Sequence, residues 1–291
     1  MKTVFEKAYA KLNISLDVSK PRPDGYHDMC MVMQAVSLCD DVEVTVNETG
    51  RVRAYSNLPF IPQDDRNLAV KAAKLYFDAA QKTGFGAEIR MNKRIPVGAG
   101  MAGGSTDAAA TLRALNAFFG NELNTDDLMA VAGKTGSDVP FCLLGGTALA
   151  EGRGEILTPL NAFPECTFVI CKPEFSVSTP EFFHALDKIK LRVHPDTQGL
   201  VAALSAGDLQ GICRRMYNVF EDVPDRRIRV VSEIRSQLVG NGALGAIMTG
   251  TGSAVFGVFA DAAAAERAAE ELSRQFSFAC TAAPVGAQLQ L

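Results

Sequence analysis

The sequence predicts an α+β protein in two domains, and three observations carry that prediction. Alternating apolar residues near the N-terminus read as strands: Leu12, Ile14, Leu16 and Val18, then Val42, Val44 and Val46. Later apolar residues recur at spacings of three and four, as in amphipathic helices, without a regular βαβ repeat. At 291 residues the chain suits two ordinary domains, which we divide at 1–157 and 158–291.

A first helix begins after Asn67, a good N-cap, and carries Leu68, Ala72, Leu75 and Ala79 on one face. A short strand at Glu88 to Met91 leads into a glycine-rich loop. Beyond the loop, Ala108, Leu112, Leu115 and Phe119 mark a second helix, ended by Gly120-Asn121. A third starts near Thr125, with Asp126 and Asp127 in its first turn, and stops at Gly133. Thr158-Pro159 through Pro164 reads as a connection, followed by a buried strand from Cys166 to Cys171. Helical segments then dominate to Val239. The tail is a strand near Ala246, a glycine turn, the strand Ala254 to Phe259, and a helix. That helix opens at Asp261 and buries Ala265, Ala269, Leu272 and Phe276.

Composition narrows the function. A formal charge of −4 lacks the basic surplus of a nucleic-acid binder, while a small anion needs only a local positive cluster. No segment approaches the roughly 20 apolar residues that cross a bilayer. The N-terminus has no apolar run of signal-peptide length, and Glu6 fits a transit peptide poorly, so a cytoplasmic location is expected. The seven cysteines form no CxxC pair and sit mostly in apolar runs, as reduced, buried thiols do. With three histidines, a His-rich metal site is not expected.

The strongest local chemistry lies in Pro96-Val97-Gly98-Ala99-Gly100-Met101-Ala102-Gly103-Gly104-Ser105-Thr106-Asp107. Glycines let a backbone approach a ligand without Cβ clashes, and Ser105 or Thr106 can cap the helix that follows. The free N–H groups and positive end of that helix form an anion site suited to nucleotide phosphates. Lys93 and Arg94 add positive charge just upstream. Gly98-x-Gly100-x-x-Gly103 spells the dinucleotide fingerprint, but Pro96 interrupts the approach from the strand and no parallel strand follows the helix. Gly133-Lys134-Thr135 resembles the end of a Walker A motif, yet Leu128 stands where that motif needs glycine. Gly133 reads instead as a helix C-cap and Lys134 as a solvated charge.

Other residues admit two readings each. Lys11 lies in an apolar strand, where a charge is costly without a carboxylate or phosphate partner, unless it reaches solvent at an edge. Asn13 shares its face by the period of two. Asp138 is a turn cap after Gly136-Ser137 or a base. Gly25-Tyr26-His27 is a turn with a surface aromatic or part of a binding loop, and Thr249-Gly250-Thr251-Gly252-Ser253 is a tight turn or a second ligand loop.

Three segments in order resemble the signatures of the GHMP kinases: Ala8-Tyr9-Ala10-Lys11-Leu12-Asn13, the loop from Pro96, and Met248-Thr249-Gly250-Thr251-Gly252-Ser253-Ala254-Val255-Phe256. Arg22-Pro23-Asp24-Gly25-Tyr26-His27, Gly136-Ser137-Asp138-Val139-Pro140-Phe141 and Asn218-Val219-Phe220-Glu221 resemble the branch whose alcohol substrate carries a cytidine diphosphate, in non-mevalonate isoprenoid synthesis. The resemblance spans residues 8 to 259. Tyr9 stands for the usual proline, Met101-Ala102 for Leu-Gly, and Thr106 for serine.

That resemblance implies a two-domain kinase with its active site in the interdomain cleft and ATP in the N-terminal domain. Mg²⁺ is expected, held mainly by phosphates. Lys93 and the residues from Pro96 to Thr106 would bind the nucleotide. Asp138 would accept the hydroxyl proton, and Lys11 would keep that carboxylate ionised. Tyr26 and Phe183, or its neighbour Phe182, would sandwich the cytosine, a stacking worth roughly 1–3 kcal/mol per base. His27 would contact the polar edge of the base, and Asn13 and Thr179 would add polar contacts. The third signature would fold over the phosphates. The partner is a small cytidyl diphosphate, with no nucleic acid or membrane, and the chain a monomer or weak homodimer. The alternatives are a homoserine- or mevalonate-type kinase and a ligand-binding protein of the same fold without catalysis.

Overall fold

In a computed structural model of the chain, residues 2–23 and 25–289 are described, so Asp24 of the Arg22–His27 segment lies outside the described residues. β1 (Thr3–Pro21) and β2 (His27–Asn47) form a long antiparallel ribbon. Its register shifts between Tyr9 and Lys11 and again between Asn13 and Ser15. Such bulges re-aim side chains. Ala8, Leu16 and Val18 join the core beneath the helices, whereas Ala10, Leu12 and Ile14 join a second core.

β3 (Val52–Ser56) and β4 (Gly86–Asn92) extend this sheet on one side, and β5 (Thr147–Gly152) and β6 (Ile156–Pro159) continue it beside β2. α1 (Leu68–Ala79), α2 (Gly103–Phe118), α3 (Thr125–Thr135) and α4 (Val139–Leu144) pack together against it. Asn67 caps α1 through its Oδ1, which accepts the N–H of Ala69. α3 runs past Gly133 to Thr135, and Gly136 is its C-cap. Buried Val131, Ala132 and Thr135 continue its inner face, so one solvent-facing glycine does not stop it.

β7 (Thr167–Lys172), β9 (Gly245–Met248), β10 (Val255–Phe259) and β11 (Phe278–Ala282) make a second, antiparallel sheet in the order β11-β7-β10-β9. Pleating sends Phe168, Ile170, Phe256 and Val258 towards Leu12 and Ile14. Val169, Cys171, Val255 and Phe259 lie on the opposite face, where α8 (Arg227–Gly240) and α9 (Ala262–Ser273) cover the sheet. Both faces are covered, which is why these strands are continuous apolar runs. Asp261 caps α9; Phe276 lies beyond the end of that helix, half-buried.

Between the sheets run α5 (Thr179–Leu186), α6 (Thr197–Ser205), α7 (Leu209–Cys213) and the two-residue strand β8 (Tyr217–Asn218), which pairs in parallel with β1. The two halves interlock. β6 crosses position 157/158, because Thr158 and Pro159 pair with β5 instead of forming a connection. The tail returns to the first sheet, where Val285 N–H donates to the Ala35 carbonyl at 2.9 Å.

Among the described residues no helix is long and apolar enough to cross a membrane. All seven cysteines are free; Cys142, Cys166, Cys171 and Cys213 are buried, and Cys30, Cys39 and Cys280 are half-buried. Burial pushes the thiols of Cys166 and Cys171 up to about 12, which keeps them protonated and unreactive at neutral pH.

Phe256 is fully buried between the sheets, 5.9 Å from the Phe168 ring. Phe256→Ala therefore lowers unfolding free energy by about 3–5 kcal/mol, measured by guanidinium denaturation; a loss below about 1 kcal/mol would contradict this placement of the core.

Candidate active site

One cleft of about 840 Å³ gathers residues far apart in sequence. Its walls include Lys11, the Gly25-Tyr26-His27 loop, Lys93, every residue from Pro96 to Ser105, Asp138, Thr179 and Phe183. Thr106 and Asn13 stand behind its wall: Thr106 is 1% exposed and Asn13 fully buried.

The phosphate loop is shaped at its helix end by a residue without a capping side chain. α2 begins at Gly103, with Ala102 as N-cap in the left-handed region at φ 58°. Ser105 and Thr106 are thus inside the first turn and cannot cap it; Thr106 Oγ1 donates back to the Gly103 carbonyl at 2.8 Å. The first helical bond runs from Thr106 N–H to the Ala102 carbonyl at 2.9 Å. The N–H groups of Gly103, Gly104 and Ser105 are left without helical acceptors, available to an anion. Holding alanine rather than glycine in that conformation costs roughly 1–2 kcal/mol.

Lys93 serves this loop in a different way from the one its charge suggests. Its Nζ donates to Asp40 Oδ2, to Asp107 Oδ2 at 2.6 Å and to the Gly103 carbonyl at 3.2 Å. Those are all three of its donors. Lys93 therefore ties α2 to β2 from below, and its charge is already matched. Arg94 is likewise paired, with Asp41. The pull on an anion at this end of the cleft comes from helix N–H groups.

Elsewhere in the cleft, Lys11 is 5% exposed and its Nζ donates to Asn13 Oδ1 at 2.5 Å. The Asn13 backbone N–H donates to Thr249 Oγ1 at 3.0 Å, and Thr249 Oγ1 donates to the Gly100 carbonyl at 3.3 Å. The Lys11–Asn13 stretch of β1, the glycine loop from Pro96 and the glycine turn at Thr249 thus meet at one hydroxyl. Asp138 precedes α4, makes no capping bond, is half-buried and lines the cleft. Among the described residues no ion pair joins Lys11 to Asp138, and Lys11 has no carboxylate partner of its own. Asn218 supports the third loop, its Nδ2 donating to the carbonyls of Met248 and Gly250 at 2.8 Å each.

The aromatic end distinguishes the two adjacent phenylalanines. Phe182 is 1% exposed and packs on Phe220 and under Arg227. Phe183 lines the cleft, 5.0 Å from the His27 ring. His27 is held by Asp187, with Nε2 and Oδ1 2.8 Å apart. Thr179 Oγ1 lies 3.1 Å from Thr251 Oγ1 and so links α5 to the third loop.

The sequence reading missed Arg153, whose guanidinium sits 5.1 Å over the Tyr26 ring at the cleft wall. Its signal was the flanking pair Gly152 and Gly154, at φ 68° and 107°, which turn the chain there. Ile61, Pro62 and Arg66, which also line the cleft, were missed as well. They lie in an irregular segment with no periodicity to read.

Residues 67–146 match the family described as GHMP kinases N terminal domain, and residues 200–277 match GHMP kinases C terminal. The chain belongs to the GHMP kinases. It is 43% identical over 274 residues to the 4-diphosphocytidyl-2-C-methyl-D-erythritol kinase of Clostridium novyi, covering 94% of this chain and 97% of that protein. The Clostridium perfringens protein of the same name is 42% identical, covering 94% of each. A crystal structure of 4-(cytidine 5'-diphospho)-2C-methyl-D-erythritol kinase matches with a TM-score of 0.81 at 35% identity, covering 97% of this chain and 100% of that one. A homoserine kinase from Cytophaga hutchinsonii shares the fold, with a TM-score of 0.78 at 21% identity over 99% and 96% of the two chains.

Gly100, at φ 77°, leaves no room for a side chain: a Cβ would stand 2.2 Å from the Thr249 carbonyl oxygen. Gly100→Ala destabilises the fold by more than about 1–2 kcal/mol, the strain of the left-handed conformation alone. Gly133→Ala, in open space on α3, stabilises it by about 0.5–1 kcal/mol. Thermal unfolding of both variants checks the pair, and equal midpoints would contradict the close approach.

Proposed function

We propose that this chain transfers the γ-phosphoryl group of ATP to the 2-hydroxyl of 4-diphosphocytidyl-2-C-methyl-D-erythritol, in non-mevalonate isoprenoid precursor synthesis. The observation that carries the reading is a single cleft with an uncapped helix N-terminus, an aromatic pocket, and both Lys11 and Asp138 in its walls. Relatives bearing that enzyme's name along nearly the whole chain support it.

The two ligands divide the cleft by chemistry. The triphosphate lies against Gly103, Gly104 and Ser105, with Ile61, Pro62 and Leu68 as the apolar wall for adenine. The cytosine stacks between Tyr26 and Phe183, with Arg153 on the outer face of Tyr26. Held by Asp187 at one ring nitrogen, His27 offers the other to the edge of the base. Thr179 closes this side against Thr251. The ATP-binding unit is 1–157 and the substrate unit 158–291, with the boundary inside β6.

In the transfer, the substrate hydroxyl oxygen forms a bond to the γ-phosphorus as the bond from phosphorus to the ADP oxygen breaks. The hydroxyl proton passes to the Asp138 carboxylate. Lys11, held by Asn13, is the buried cation beside these oxygens. Among the described residues no three His, Cys, Asp or Glu side chains converge to hold a metal. Mg²⁺ accompanying the triphosphate would be held mainly by phosphate oxygens and water and would supply neutralisation of phosphate charge.

Asp138→Asn keeps the shape and removes the proton acceptor. It lowers kcat by about 10²–10⁴ with little change in KM for either substrate, in a coupled ADP-release assay. Turnover within about twofold of the unmodified enzyme would assign Asp138 a structural role instead.

A further inference from the structure

Beneath the phosphate loop, two carboxylates share one ammonium group. Asp40 is fully matched as an anion: Oδ2 accepts from Lys93, and Oδ1 accepts the N–H of Arg94 and, at 2.8 Å, of Ile95. Asp107 is not. Its Oδ2 accepts from Lys93 at 2.6 Å, while its Oδ1 is buried without a partner. With both carboxylates ionised, the cluster holds one negative charge more than it has positive charge to match. A buried, unmatched carboxylate is costly, and a proton removes the cost.

Asp107 also stands at the cleft, one turn along α2 from the free N–H groups of Gly103, Gly104 and Ser105. An anion bound at those groups sets further negative charge beside it. The charged groups facing Asp107 are Lys93, from the segment after β4, and Asp40, from β2. Cys142 of α4 also lies within its electrostatic reach, but burial keeps that thiol protonated. Among the described residues Asp107 faces no second cation.

We propose that binding of nucleotide phosphate at this loop is coupled to the uptake of one proton by Asp107. The inference rests on the reading of the loop as the nucleotide site. Asp107 then acts as a positioning residue: once neutral, it leaves Lys93 and Asp40 as a balanced pair that fixes Gly103 and the helix end against the phosphate. Burial pushes the Asp107 carboxyl up to about 7, with Asp40 adding to the rise and Lys93 opposing it. The sign follows. The proton is already in place well below pH 7, so little is taken up there. Above pH 7 it is absent from the free enzyme and must be acquired on binding, so affinity falls as pH rises, by at most about tenfold per unit.

The test is calorimetric titration of the full chain with a non-hydrolysable ATP analogue and Mg²⁺, in buffers of different ionisation enthalpy, at pH 6 and pH 8. At pH 8 the unmodified enzyme takes up more than about half a proton per nucleotide beyond the count in Asp107→Asn, and at pH 6 the two agree. Between those pH values the affinity of Asp107→Asn falls less than that of the unmodified enzyme. Equal proton counts in the two proteins at pH 8 overturn the proposal. Should Asp107→Asn not fold, the unmodified enzyme decides alone, and an uptake no greater at pH 8 than at pH 6 overturns it. Absence of binding heat in every buffer would overturn the reading of the loop itself, and the proposal with it.

Discussion

At Gly100 the backbone of the phosphate loop lies against Thr249, closer than any side chain would allow. The rest of the site depends on that approach. Thr249 Oγ1 bonds Gly100 and receives the Asn13 backbone N–H, and Asn13 in turn holds the ammonium group of Lys11. Ala254 N–H donates to the Ala99 carbonyl at 3.2 Å and fastens the same seam from the second sheet. A residue from the first strand, the phosphate loop and a turn near the end of the chain are thereby fixed relative to one another. Preorganisation of this kind is most of what a phosphoryl-transfer enzyme contributes, because the reaction needs positioning and charge more than covalent help.

Charge is distributed unevenly along the cleft. Lys93 and Arg94, the cations nearest the glycine loop in sequence, are both paired with aspartates. The loop therefore presents free backbone N–H groups to the cleft, as helix N-termini that bind anions do elsewhere. Among the described residues lining the cleft, Lys11 is a buried cation without a carboxylate partner. Arg153 stands at the far end, over Tyr26. One cleft can thus receive two anionic ligands without a large surplus of basic residues, in keeping with the net charge of −4.

Much of the fold was legible in the sequence. The alternation in β1 and the three- and four-residue spacings of α1 and α2 have single solutions, and caps such as Asn67 and Asp261 act as read. Other elements were hidden for physical reasons. α4 is six residues long with every side chain buried, so it has no polar face to reveal a period. β6 and β11 are short strands at the ends of their sheets and show no clean alternation. Within the site, the residue types were readable but their pairings were not. Nothing local to Lys93 announces that Asp40, far away in the chain, takes its charge, and nothing local to Phe182 and Phe183 says which faces the ligand. Long-range packing decides both.

The identity of the alcohol is the central claim, and the aromatic end of the cleft is what makes it specific. It is tested most directly by measuring kcat/KM with ATP and Mg²⁺ across 4-diphosphocytidyl-2-C-methyl-D-erythritol, mevalonate and homoserine. The cytidyl substrate is favoured by at least about tenfold, within the range that stacking of one base supplies. Equal or faster turnover of an alcohol that lacks cytidine would contradict it.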